Sequence, residues 1–142
     1  SDQQQRMKAD EVRAATRRLR ILVAEDSVVN CKMMEAILRL EGHRVRFAEN
    51  GRKALELWRS EPFDLILMDI QMPEMDGVQA TKVIRAEEAE RGERIPIIAL
   101  TAYAMSGDRQ RFLDADMDDY LAKPITAEQL RRLLWEYGRR EA

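Results

Sequence analysis

Residues 21–26 read Ile21-Leu22-Val23-Ala24-Glu25-Asp26, four consecutive apolar side chains that end in two carboxylates. A half-covered strand alternates apolar and polar residues. An unbroken apolar run this short fits a strand covered on both faces. The same texture returns in Leu65-Ile66-Leu67-Met68 and from Ile95 to Leu100, and Tyr120-Leu121-Ala122 gives a shorter fifth run. Val45-Arg46-Phe47-Ala48 alternates instead and suits an edge strand.

Helical patterns separate these runs. Val28, Met34, Ile37, Leu38 and Leu40 predict a helix ending near Gly42. Ala54, Leu55 and Trp58 predict a second, stopped by Pro62, and Val78, Val83 and Ile84 a third, ending near Gly92. The charged stretch from Arg85 to Arg94 suggests that this third helix extends past the sheet. Phe112 and Leu113 mark a short fourth. Leu130, Leu133, Leu134 and Tyr137 mark a fifth, opened by Thr126 with Glu128 and Gln129 close behind. A strand followed by a helix, five times over, means a parallel sheet with helices on both faces.

The chain has 142 residues, 45% apolar and 35% charged, with 26 acidic against 24 basic side chains. That is one domain's worth of core, without the bulk positive charge of a general nucleic-acid binder. No apolar run approaches the ~18 residues of a membrane span. One cysteine, Cys31, excludes an internal disulfide and a Cys-rich zinc site and points to the cytoplasm. Residues 1–19 form a charged linker or helical extension, with the domain proper at 20–142. The first 20 residues carry six basic and three acidic groups and few large apolar side chains.

Ligands of open parallel sheets bind beyond the carboxyl ends of the strands. Glu25-Asp26 ends the first run, Asp69 the third and Thr101 the fourth, and Lys123-Pro124 follows the fifth. Carboxylates ~4–5 Å apart repel by roughly 3–4 kcal/mol per pair at an effective dielectric near 20. Lys123 offsets part of this. A hard divalent cation such as Mg²⁺ offsets more, and no histidine or cysteine stands by to favour zinc. The lone histidine, His43, falls at a Gly-His-Arg turn and reads as a surface residue. A carboxylate nucleophile, a metal, a lysine and a hydroxyl together suit phosphoryl transfer.

These motifs resemble the receiver domain of response regulators over about Arg20 to Tyr137. Four segments carry the likeness: residues 21–26, Asp69-Ile70-Gln71-Met72-Pro73-Glu74-Met75-Asp76-Gly77, Ala99-Leu100-Thr101-Ala102, and Asp118-Asp119-Tyr120-Leu121-Ala122-Lys123-Pro124. The resemblance implies a flavodoxin-like, doubly wound (βα)5 fold with strand order 2-1-3-4-5. It implies that Asp69 is the phosphoacceptor for a partner's phosphohistidine. Asp26, Glu25, Asp69 and the Gln71 backbone carbonyl would hold Mg²⁺. Lys123 would contact a phosphoryl oxygen and join Pro124 through a cis peptide. Thr101 and Tyr120 would form the switch. Gln71 and Tyr103 would set the phosphate lifetime, and the surface of the fourth helix, fifth strand and fifth helix would respond.

The finer pattern, Ser27-Val28-Val29-Asn30 and Leu100-Thr101-Ala102-Tyr103-Ala104 included, is similar to receivers of hybrid sensor histidine kinases. The implied partners are a histidine kinase dimerisation/phosphotransfer domain or a histidine phosphotransfer protein. No nucleic acid and no membrane is contacted directly, and a dimer is an open option. Such a domain catalyses its own phosphorylation without turning over a free substrate as its main task. The run Asp114-Ala115-Asp116-Met117-Asp118 departs from the family's usual glycine. It reads as a solvated loop, with Asp116 at a left-handed turn.

Other classes fit less well. An aspartyl-phosphate phosphatase wants a second Asp where this chain has Gln71. A flavin carrier would meet repulsion from Glu25-Asp26 at its phosphate loop. A receiver-like module that only binds partners usually lacks the acceptor or the lysine. A stand-alone regulator remains the alternative to a hybrid-kinase segment.

Overall fold

The computed structural model describes residues 17–104 and 107–138. Five strands, β1 (Arg20–Ala24), β2 (Arg44–Ala48), β3 (Leu65–Asp69), β4 (Ile97–Thr101) and β5 (Asp119–Ala122), form one sheet in the order β2-β1-β3-β4-β5. Every pairing is parallel, with Val23 opposite both Phe47 and Leu67, and Asp69 opposite Leu100. The connecting helices are α1 (Val28–Leu40), α2 (Gly51–Ser60), α3 (Gly77–Arg91), α4 (Asp108–Asp114) and α5 (Ala127–Gly138). Among the described residues no helix is long and apolar enough to cross a membrane. The linker expected over residues 1–19 lies outside the described residues as far as residue 16.

The pleat sorts alternate strand residues into two cores. Leu22, Ala24, Ile66, Met68, Ile97 and Ala99 face α2, α3 and α4, where they meet Trp58, Ile84 and Phe112. Ile21, Val23, Leu65, Leu67, Ile98 and Leu100 face α1 and α5, where they meet Met34, Leu38, Leu130 and Leu134. β3 and β4 are buried at every position, whereas β2 alternates as its sequence predicts for an edge. Each large apolar side chain so covered contributes roughly 1.5–3 kcal/mol.

Side-chain caps start four of the helices. Ser27 accepts from the Asn30 N–H and Asn50 from the Lys53 N–H. Asp76 with Gln79, and Thr126 with Gln129, form reciprocal capping boxes. Gly92, at φ 69°, ends α3 in the left-handed conformation. Gly77 opens α3 for a steric reason: a Cβ there would sit 2.1 Å from the backbone oxygen of Asp69. The helix therefore starts directly against the end of β3.

Four sequence expectations change. His43 is not a surface residue but is 5% exposed, because its Nδ1 accepts the Leu19 N–H at 2.9 Å. Burial pushes its pKa down, which keeps the ring a neutral acceptor. Leu19, assigned by sequence to the linker, is itself buried in the α1/α5 core. Val28, Leu40 and Leu113 sit in apolar helical patterns yet point to solvent, since α1 and α4 bury narrower stripes than their sequences offer. The acidic run is not simply solvated. Asp116 is left-handed at φ 66°, and arginines clamp it: Arg94 binds Asp116 at 2.9 and 3.2 Å and Asp118 at 2.8 Å, and Arg85 binds Asp118 at 2.8 Å.

Candidate functional site

The carboxyl ends of β1, β3, β4 and β5 bring the expected residues to one cleft. Each apolar run stops at a polar residue, within the strand for β3 and β4 and just after it for β1 and β5, so the register that aligns the strands also aligns those residues. Glu25 and Asp26 follow β1, Asp69 and Thr101 close β3 and β4, and Lys123 follows β5. Carboxylate oxygens of Glu25, Asp26 and Asp69 all lie within 4.8 Å of one another. Glu25, Asp69 and Thr101 are buried, and Asp26 is exposed at the mouth.

Lys123 is the cation at the centre. Its Nζ donates to Asp69 Oδ2 at 2.6 Å and lies 3.2 Å from Glu25 Oε1. Burial alone would lower its pKa, but Asp69 and Glu25 outweigh that and raise it. The other Asp69 oxygen, Oδ1, accepts the Gln71 N–H at 2.9 Å. That hydrogen bond folds the loop after β3, so the Gln71 peptide lies beside the carboxylates. The peptide bond between Lys123 and Pro124 is cis.

Glu25 is the strained member. Burial raises its pKa and the Asp69 carboxylate raises it further, while Asn30 opposes the rise by donating to Oε1 at 2.6 Å. Its second oxygen accepts the Asp26 N–H at 3.1 Å. Asn30 lies in the first turn of α1, and its role was not legible as chemistry. The signals available were a polar residue one turn past the cap and its place in the Ser27-Val28-Val29-Asn30 pattern. Cys31, half-buried, donates to the Glu25 carbonyl at 3.4 Å. Burial and the carboxylates of Glu25, Asp26 and Glu35 push its thiol up to about 11, which makes it an inert filler.

Around the rim, Thr101 Oγ1 accepts the Tyr103 N–H at 3.0 Å. Tyr103 is 52% exposed, and Gln71 is exposed as well. Tyr120 is half-buried on β5 against the Phe112 ring, centroids 5.3 Å apart, with the Arg109 guanidinium 5.5 Å over its face. Thr101 and Tyr120 thus stand on adjacent strands, with the α4 side chain Phe112 beside Tyr120. Val28 and Val29, both exposed, add apolar surface at the start of α1 next to Asp26.

Three oxygen donors beside one ammonium group can hold a hard divalent cation. They also leave negative charge that a single lysine does not balance. A carboxylate nucleophile flanked by such groups can accept a phosphoryl group.

Comparison with known proteins agrees with this geometry. The family model for the response regulator receiver domain matches residues 21–134. The sensor histidine kinase GacS of Pseudomonas protegens is 42% identical over 124 residues, 87% of this chain and 14% of GacS. The signal transduction histidine-protein kinase BarA of Escherichia coli K12 is 42% identical over 117 residues, 82% of this chain and 12% of BarA. The chain therefore spans only a small part of the curated relatives it matches. Among solved structures, the receiver domain of sensor histidine kinase PA1611 from Pseudomonas aeruginosa, with a magnesium ion in its active-site cleft, is 45% identical with a TM-score of 0.77. That alignment covers 85% of this chain and 98% of the other. The co-crystal structure of the Saccharomyces cerevisiae phosphotransfer protein Ypd1 with the receiver domain of Ssk1 aligns with a TM-score of 0.83 at 30% identity, covering 87% and 90%. Sequence, sheet order and cleft converge: the chain belongs to the response regulator receiver domain family.

Proposed function

We propose that this receiver accepts a phosphoryl group from a phosphohistidine onto Asp69, with Mg²⁺ bound by Asp26, Asp69, the Gln71 carbonyl and, directly or through water, Glu25. The observation that carries the reading is the contact of Asp69 with Lys123 at 2.6 Å inside a three-carboxylate cluster. Bound Mg²⁺ would neutralise the carboxylates and the equatorial phosphoryl oxygens. An Asp69 carboxylate oxygen attacks phosphorus while the bond to the imidazole nitrogen breaks, and the imidazole leaves with that electron pair. Lys123 turns from Asp69 to a phosphoryl oxygen. Thr101, whose oxygen accepts the Tyr103 N–H at 3.0 Å, turns its hydroxyl to another.

The new phosphoryl group adds about −1.5 to −2 charges. Thr101 and Tyr120 then shift together, and the α4-β5-α5 surface changes its population of states. Gln71 and Tyr103 flank the path by which water would remove the group, so they set its lifetime. The donor is a histidine kinase dimerisation/phosphotransfer domain or a histidine phosphotransfer protein. The likeness to GacS, BarA and PA1611 supports a place within a hybrid histidine kinase, with the segment before Leu19 as its linker.

The test is intact mass after incubation with Mg²⁺ and a small phosphodonor, beside an Asp69→Ala control. The expected result is a single phosphoryl adduct that needs both Mg²⁺ and Asp69. A folded protein that takes up no phosphoryl group from a working donor would refute the reading.

A further inference from the structure

A hollow of about 380 Å³ opens at the amino ends of β1 and β2, beside the turn that follows α2 and away from Asp69. Four arginines line it. Arg20 and Arg44 open the two strands, Arg46 stands two residues further along β2, and Arg39 comes from the last turn of α1. Glu61 is the one carboxylate among the described residues that line it. Val45, buried, and Phe63, half-buried, give it an apolar wall.

The charges around it do not close. Arg20 is committed to Asp64 through its backbone N–H and two side-chain hydrogen bonds. Arg39 pairs with Glu35 at 2.9 Å and Arg46 with Glu61 at 3.1 Å, both in surface pairs of the weak kind that exchange readily. Among the described residues nothing bonds to the Arg44 side chain. Yet the parallel register sets Arg44 directly opposite Arg20, on strands about 4.8 Å apart. Two like charges thus start adjacent strands, and only one has a counterion. A charged side chain also guards an edge strand against pairing with another chain. That role explains an arginine on β2. It does not gather Arg20 from an inner strand and Arg39 from a helix around the same hollow.

We propose that this hollow binds a small oxyanion of two or more negative charges, with Arg44 as its anchor and Arg46 and Arg39 as its flanks. A guanidinium fork matches carboxylate and phosphate oxygens alike, so polyphosphates and polycarboxylates share the required chemistry. The bound anion gives Arg44 its missing counterion and displaces Glu61 and Glu35 from their weak pairs. The apolar wall keeps water from one side of the contact and strengthens it. The site does not depend on the phosphoacceptor reading of Asp69, whose cleft is acidic and repels the same anions.

The experiment is a titration followed by amide chemical shifts, with pyrophosphate and separately with citrate, at constant ionic strength and without Mg²⁺. Saturable shifts are expected around Arg44 and Phe63, with half-saturation at about 1 mM. Saturation by pyrophosphate alone would assign a phosphate ligand and by citrate alone a polycarboxylate, whereas saturation by both would assign the shared oxyanion chemistry. Arg44→Ala should raise the half-saturating concentration about fivefold, the reach of one exposed ion pair. Arg44→Lys should recover part of that loss, since it keeps the charge without the fork. Because the Arg44 side chain bonds to nothing in the fold, both variants should unfold at the parental temperature when no anion is present. Arg132→Ala removes an exposed arginine from α5 and should leave the titration unchanged. Shifts that saturate with neither anion would overturn the proposal and leave Arg44 as a guard of the edge strand. Equal losses from Arg44→Ala and Arg132→Ala would overturn it as well, as the mark of general surface charge.

Discussion

The two ends of the sheet use the same residue types to opposite effect. At the carboxyl end, Glu25, Asp26 and Asp69 share one lysine. At the amino end four carboxylates are met by four guanidinium groups. Asp64 is held by Arg20 and Arg17, Glu88 by Arg85, Asp116 by Arg94, and Asp118 by both Arg85 and Arg94. Matched charge fastens elements together. Unmatched charge waits for a ligand, and the fold tolerates it because the amino end and the two cores supply the stability.

The largest expected break in this contrast is at Arg85. Its Nη1 donates to Glu88 at 2.6 Å and to the Ile95 carbonyl at 2.8 Å, and Glu88, 2% exposed, also accepts the Ile95 N–H at 2.6 Å. Arg85→Ala leaves a buried carboxylate without its cation, at a cost of roughly 3–5 kcal/mol. Urea unfolding should show that loss, and the folded fraction should still take up phosphate at the parental rate. A loss under ~1 kcal/mol would mean that water replaces the guanidinium, and the amino end would then not be the fastening it looks to be.

Lys123→Ala is the mirror experiment. Removing the cation that meets the phosphoryl group should slow phosphorylation by at least ~100-fold. The stability lost should be smaller than for Arg85→Ala, because the cleft is open to water and cations at Asp26. Measuring labelling rate and urea midpoint on the same samples reads both. A variant that labels normally but unfolds easily would make Lys123 a fastening like Arg85.

The sheet and the cleft were legible in the sequence for one reason: strand ends are visible as the points where apolar runs stop. Ile21 to Ala24 and Leu65 to Met68 fix two strands, and the first polar residue after each falls in the cleft by register. Thr126 with Gln129 was legible because a capping box is local. What stayed hidden depends on distance in the chain. His43 meets the Leu19 N–H across 24 residues, and a lone histidine after a glycine carries no sign of it. Arg85 meets Asp118 across 33 residues, within a run that reads only as a charged helix face. Arg111 reaches Asp76 from a seven-residue helix whose position over the cleft is set by tertiary contacts. Exposed Val28 and Leu40 show the converse, apolar residues at helical spacing that α1 does not bury.

The smallest expected effect separates the two ends by pH. Arg20 donates two side-chain hydrogen bonds and its backbone N–H to Asp64, with Arg17 at 3.4 Å. These hold the Asp64 pKa down at about 2. A carboxylate whose folded pKa lies below its unfolded value stabilises the fold above the unfolded pKa and loses that contribution as pH falls toward the folded one. Linkage alone would give ~2 kcal/mol at neutral pH, and screening of the half-exposed guanidinium reduces it to about 1 kcal/mol. The gap in unfolding free energy between the parent and Asp64→Asn should therefore be about 1 kcal/mol at pH 7 and fall by roughly half near pH 3. Glu25 moves the other way, since its raised pKa makes acid relieve the carboxyl end while it weakens the amino end. A parent-to-variant gap that stays constant across this range would place the Asp64 contribution in shape or in neutral hydrogen bonds. The amino end would then owe less to matched charge than its geometry indicates.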